Sequence, residues 1–177
     1  MRRFILTGTP GAGKTAILRQ LEIEGFGVVE EAATDVITLE QAKGIAEPWR
    51  NPAFIDKVVN LQRARVVRSA YRQGEVQFHD RSPICTAALA EFLGYPLSSA
   101  LSRELERLEK ERLYERRVFF IRPWGFVTPT KARRISLEEA RRFEALHERT
   151  YSARGFDLIF IAPASVLDRV AAIRRAL

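Results

Sequence analysis

Near its amino terminus the chain reads TGTPGAGKT, residues 7 to 15, directly after the apolar run RFIL and directly before KTAILRQL, which has helical spacing. Gly8, four intervening residues, Gly13, Lys14 and Thr15 make the phosphate-loop pattern, and a strand before with a helix after is the setting that pattern requires. The spacing has a chemical reason. Gly8, Gly11 and Gly13 let the backbone fold round so that several N–H groups face one anion, and the positive end of the following helix adds to that field. Thr9, Pro10, Ala12 and Ala16 supply the remaining backbone of the cradle. Lys14 is placed to span the β- and γ-phosphates of ATP, and the Thr15 hydroxyl to ligate the accompanying Mg²⁺.

A strand that feeds such a loop belongs to an α/β architecture, and the rest of the chain repeats the alternation. Short apolar runs at 3–8, 27–31, 76–80, 117–122 and 157–162 read as strands. Stretches of helical period fill the gaps at 14–24, 32–45, 53–73, 83–93, 98–116, 136–153 and 165–176. Five such strands predict a parallel sheet with helices on both faces. Ser82 before Pro83, and Ser136 before Glu138 and Glu139, are helix-start signals. Residues 123–135, with two prolines, a glycine and no period, read as a long loop between a strand and a helix. No repeat, linker or low-complexity tract divides the sequence, so 1–177 is read as one domain.

Composition narrows the class. Cys85 is the only cysteine, which excludes an intramolecular disulfide and a thiolate metal site and leaves a buried, inert thiol. No run approaches the roughly 20 apolar residues of a membrane span, and MRRFIL meets glycine and threonine before a signal core forms, so the expectation is a soluble, cytoplasmic protein with no membrane partner. The net charge is +7. Its excess lies at 61–81 and 131–154, beside candidate site motifs, whereas 98–117 interleaves acids and bases as a solvated helix face does. That interleaving argues against a continuous nucleic-acid track.

The third strand ends in VQFHDRSP. Asp80 is the acid expected near Mg²⁺, and the alternation of Gln77 and His79 on one face suggests a strand side that lines a cavity. DRS after a short strand, downstream of a P-loop, resembles the DR or ER signature of the thymidylate kinase and deoxynucleoside kinase branch of P-loop kinases. By that resemblance Arg81 contacts the acceptor or the transferring phosphate. The wider pattern is similar to the small AAA-type predicted ATPases grouped with ribosylnicotinamide kinase. It comprises VVEEAATDVI at the second strand, HDRSP at the third, a proline-containing lid at about 123–135, and EARRFEALHERTYSARGFDLIFIAPASVLDRVAAI to near the end. The resemblance implies a P-loop NTPase fold over nearly the whole chain.

An acceptor hydroxyl calls for a base near the end of the second strand. Glu30 and Glu31 stand there, on opposite faces, and the family's EAAR-like stretch favours Glu31. The sequence has Thr34 where relatives commonly hold an arginine, whose role is then missing or supplied from elsewhere. Gln62 sits among Ile55, Val59 and Val66 on one helical stripe, where an amide can read a base or sugar edge, as glutamines do in deoxynucleoside kinases. Trp49 and Trp124 are candidate pocket walls. Arg122, Arg133 and Arg134 bracket the lid, where P-loop kinases place groups that close over phosphates. Lys14, Glu31, Asp80, Arg81, Arg133 and Arg134 are thus the candidate catalytic residues, and Thr15 with Asp80 the candidate metal ligands. Gln62, Arg81, Trp49 and Arg122 are candidate substrate contacts.

Three readings stay open: a kinase acting on a nucleoside, nucleotide or similar metabolite, a regulatory ATPase whose partner is a protein, and a nucleic-acid-end kinase or binder. Neither NKxD nor DxxG is found, so a switch GTPase is set aside. Arg81 follows Asp80 in place of the glutamate that activates water in many ring-forming motor ATPases.

Overall fold

The computed structural model describes residues 1–70, 74–123 and 137–177. Its strands are β1 (Arg2–Thr7), β2 (Gly27–Val29), β3 (Val76–Asp80), β4 (Arg117–Ile121) and β5 (Asp157–Ile161), all parallel, in the order β2-β3-β1-β4-β5. The described helices are α1 (Lys14–Ile23), α2 (Ala33–Ala42), α3 (Ala53–Ser69), α4 (Pro83–Phe92), α5 (Ser99–Lys110), α6 (Leu137–Ser152) and α7 (Val166–Arg175), with a 3₁₀ turn at Pro48–Arg50. The five expected strands are all present, and no described helix is long and apolar enough to cross a membrane.

A parallel sheet must be covered on both faces, and the alternation along β1 shows how. Phe4 and Leu6 face α1 and α7 in one apolar cluster with Phe78, Phe119 and Ile121. Ile5 faces the opposite cluster, built on Val118 and the helices α3 to α6. The Phe4 ring lies 5.9 Å from Phe78 and 5.7 Å from Phe119, so the three centre strands are joined by aromatic contact as well as by hydrogen bonds.

Three local features depart from the expectations. The polar side of β3 does not line a cavity. His79 Nε2 donates to Gln77 Oε1 at 2.9 Å, Ser69 Oγ donates to the same oxygen at 3.1 Å, and the His79 ring stands edge-on to Tyr114. Those polar atoms satisfy one another inside the core. The helix expected over 98–116 stops at Lys110, because Arg112 takes a left-handed φ of 46° while Leu113 N–H bonds the Leu108 carbonyl and Arg112 N–H that of Glu109. This closure normally uses glycine. That helix is also no simple solvated face. Leu101, Leu105 and Leu108 are core, and Glu104 is buried against Arg107 at 2.6 Å.

Phe4→Ala removes the ring that touches both neighbouring strands. It should cost about 3–5 kcal/mol, read as a lower urea midpoint at an unchanged m-value.

Candidate active site

The loop after β1 is shaped by what lies behind it. A Cβ on Gly8 would fall 2.3 Å from the Ile121 carbonyl oxygen of β4, and Gly8 has φ +124°, so no side chain fits there. Gly13, at φ +88°, turns the chain directly into α1. An anion-binding loop needs its carbonyls engaged elsewhere. Arg169 of α7, buried at 3% exposure, reaches in and donates to the Ala12 carbonyl at 2.6 Å and to the Arg122 carbonyl at 3.3 Å. Lys14 opens α1 with its ammonium folded over the loop, donating to the Thr9 carbonyl at 2.9 Å and the Gly8 carbonyl at 3.2 Å. Thr15 is exposed, and Ala16 follows it on the outer side of α1.

Residues Leu6 and Asp80 are register partners, and Arg81 N–H extends the ladder to the Leu6 carbonyl at 2.9 Å. Asp80 therefore stands at the carboxyl end of β3 beside the loop. It shares the parity of Val76 and Phe78, which is the face that carries α1. Among the described residues no group of three or more His, Cys, Asp or Glu could hold a metal ion. A hydroxyl at Thr15 and a carboxylate at Asp80 are instead the small hard-oxygen set suited to Mg²⁺ that brings nucleotide phosphates as its other ligands.

Arg81 is the centre of the next layer. Its backbone is left-handed at φ 71° and its side chain is buried. Its Nε donates to Glu31 Oε1 at 2.7 Å, and its Nη1 lies 3.2 Å from His147 Nε2. The other Glu31 oxygen accepts from Thr34 Oγ1 at 2.6 Å. Burial works against the Arg81 charge, but the fields of Glu31 and Asp80 and the hydrogen bond to Glu31 outweigh it and raise the pKa above the ordinary arginine value. Arg65 of α3 fixes the turn that carries Glu31, donating to the Glu30 carbonyl at 3.0 Å, the Glu31 carbonyl at 2.5 Å, and the Asp35 carboxylate. Glu30 is exposed and pairs with Arg19, so Glu31 is the member of that pair turned inward.

A cavity of about 580 Å³ opens beside this layer and reaches the phosphate loop at Pro10. Glu31, Arg81, Gln62 and Trp49 all border it, with Phe143 and Phe92 among its aromatic walls. The buried Gln62 amide oxygen accepts from Thr86 Oγ1 at 3.0 Å. Cys85, also on the cavity wall, is buried, and its sulfur lies 3.0 Å from Tyr151 Oη and 3.2 Å from Thr7 Oγ1. Arg122 does not border the cavity. It pairs with Glu144 and Glu148 of α6 and stacks 4.3 Å over Phe160. Trp124, Arg133 and Arg134, and with them the expected lid, lie outside the described residues. Of the basic excess at 61–81, Arg63, Arg65 and Arg81 each meet a carboxylate.

Three residues escape a reading of the sequence: Arg65, His147 and Arg169. Each acts on a partner distant in the chain, and none stands in a spacing that signals it. For His147 the one hint is its place on the stripe Glu139, Phe143, His147, Tyr151, four residues apart along α6.

The sequence matches the family described as AAA domain over residues 3–169. A comparison with curated proteins finds no match. Among solved structures, the fold is similar to deoxyadenosine kinase from M. mycoides with dCMP and dCDP bound, at TM-score 0.64 and 16% identity, over 98% of this chain and 97% of that one. The same kinase with dATP bound gives TM-score 0.62 at 14% identity, over 99% and 98% of the two chains. The NadR protein in complex with NAD and AMP-PNP gives TM-score 0.70 at 16% identity, over 98% of this chain and 49% of that chain.

Both histidines of the protein, His79 and His147, are buried and neutral, each with its pKa lowered to about 3. For His79 the causes are burial and then Arg3. For His147 they are burial and then Arg81. A histidine with a lowered native pKa leaves the unfolded chain binding more protons, so stability is full above the ordinary value near 6.5 and falls as the pH drops below it. Between pH 7.5 and 5.5 each ring should cost about 1.4 kcal/mol, measured by urea unfolding at the two pH values. His79→Gln should remove about half of the difference.

Proposed function

The chain belongs to the AAA domain family, and on that premise we propose that it is a kinase dependent on ATP and Mg²⁺, which transfers the γ-phosphoryl to a hydroxyl of a small nucleoside-like acceptor. The observation that carries this reading is the cavity that reaches the phosphate loop at Pro10 and has Glu31 and Arg81 on its wall. A water-hydrolysing switch has no need of a 580 Å³ chamber with aromatic walls at that place. Glu31 on that wall is the group a hydroxyl acceptor needs and a phosphate acceptor, which brings its own ionised oxygen, does not, so a nucleoside-like acceptor is favoured. The fold shared with deoxyadenosine kinase agrees with that class of acceptor.

The chemistry follows from the side chains. The acceptor hydroxyl lies against Glu31, and its proton passes to that carboxylate as the oxygen attacks the γ-phosphorus. The bond from that phosphorus to the β,γ-bridging oxygen breaks, and ADP leaves. Lys14 turns from the loop carbonyls to the phosphates, and the Arg81 fork meets the equatorial oxygens where charge gathers. Thr15 and Asp80 would hold Mg²⁺, which would supply charge neutralisation on the phosphates. Gln62 offers its amide to a polar edge of the acceptor, and Trp49 with Phe143 shields the ring from water.

The test is ADP formation from Mg·ATP by the purified protein, with pooled nucleosides, nucleotides and vitamin precursors. A hydroxyl-bearing pool should stimulate turnover, Lys14→Ala should abolish it, and Glu31→Gln should lower kcat by about 10²- to 10⁴-fold. Steady ADP formation indifferent to every pool would overturn the kinase reading in favour of water as acceptor.

A further inference from the structure

The stripe Glu139, Phe143, His147 and Tyr151 on α6 begins at the cavity wall and continues to the residues packed against Arg81 and Cys85. Glu139 and Phe143 border the cavity. His147 meets Arg81, and one turn further on Tyr151 Oη lies 2.8 Å from Ser82 Oγ and 3.0 Å from Cys85 Sγ. Two residues of one helix, His147 and Tyr151, thus address the segment from Arg81 to Cys85 that leaves β3.

The hydrogen bonds of His147 have only one consistent assignment. Its Nδ1 lies 2.8 Å from the Phe143 carbonyl, which can only accept, so Nδ1 carries the proton. In the neutral ring Nε2 is then an acceptor, and it receives Arg81 Nη1–H at 3.2 Å. The ring has no solvent exposure and stands edge-on to Phe143 at 4.3 Å, which fixes its plane. Burial and the adjacent guanidinium keep it unprotonated. Arg81 is consequently held on both sides, by a carboxylate at Nε and by an imidazole lone pair at Nη1. Its remaining donors are left for the cavity it borders.

We propose that His147 is a positioning residue for phosphoryl transfer, which sets the angle of the Arg81 fork through a neutral Nε2 acceptor delivered by α6. The proposal rests on the kinase reading in giving Arg81 to the transferring group. A guanidinium anchored only by Glu31 can swing about that single bond, and a fork that swings loses transition-state contacts before it loses ground-state affinity.

Two replacements separate the acceptor from the packing. His147→Gln brings an amide oxygen to the place of Nε2. His147→Asn keeps a donor near the Phe143 carbonyl but does not reach Arg81. With an acceptor in hand, His147→Asn should lower kcat about 10- to 100-fold, the loss of one hydrogen bond to a charged group, with KM for ATP within about twofold, a shift too small to signal lost binding. His147→Gln should recover most of that loss. Wild-type kcat in the Asn variant, or equal losses in both variants, would overturn the proposal. A second readout needs no acceptor: the ¹⁵N resonance of Arg81 Nε–H, identified by its disappearance in Arg81→Lys. It should persist with slow hydrogen exchange in wild type and His147→Gln, and move or exchange rapidly in His147→Asn. An unchanged signal in the Asn variant overturns the positioning role. If wild-type protein phosphorylates no acceptor, the kinase reading fails, and the Nε–H signal still decides whether His147 orients Arg81.

Discussion

A guanidinium removed from water must be met on several sides, and this requirement at Arg81 places three separate parts of the fold. The β2–α2 turn has to bring Glu31 to Nε, β3 has to end in a left-handed residue, and α6 has to present His147. Each partner is supported in turn: Thr34 and Arg65 brace Glu31 and its turn, and the Phe143 carbonyl fixes the histidine tautomer. An unpaired buried charge costs several kcal/mol, so the cluster assembles as a unit. The same arrangement leaves Arg81 on the wall of the cavity that reaches the phosphate loop.

The phosphate loop is governed by a different constraint, the direction of its carbonyls. Backbone N–H groups can converge on an anion only if the carbonyls of the same turn are engaged outside it. Arg169 takes the Ala12 carbonyl from behind, and Lys14 takes those of Gly8 and Thr9. The tight approach of Gly8 to Ile121 ties the loop to β4 as well as to its own strand. The last helix and the fourth strand therefore share in a site whose signature is confined to nine residues near the start of the chain.

What the sequence reveals follows from how far each signal reaches. The P-loop, the five strands and the stripe carrying Gln62 are local patterns, and all appear where the spacing puts them. Helix ends are less legible: α2 stops at Ala42, short of the expected 45, although Gly44 follows it, and α5 stops at Lys110, where Arg112 does a glycine's task without glycine's signature. Gln77 and His79 have the alternation of a cavity wall, yet Ser69 and Tyr114, far from obvious partners, close that face. Arg122 reads as a phosphate contact because it flanks the lid, and only the packed fold brings Glu144 and Glu148 to it. Arg169 is separated from Ala12 by 157 positions, beyond any periodic pattern.

The sheet order has a consequence for the chain during its synthesis. β1 is made first and sits in the centre, yet its hydrogen-bonding neighbours are β3 and β4: Phe4 waits for Phe78, and Ile5 for Val118. At ribosomal rates of about 5–20 residues per second, the strand that becomes the centre of the sheet spends on the order of ten seconds without either partner. Its apolar run is bounded by Arg2 and Arg3 on one side and the glycine-rich loop on the other. Charges and glycines at those borders discourage pairing with another chain during that interval. The loop that serves the nucleotide in the finished protein is, in the unfinished one, a guard on the edge of an unpaired strand.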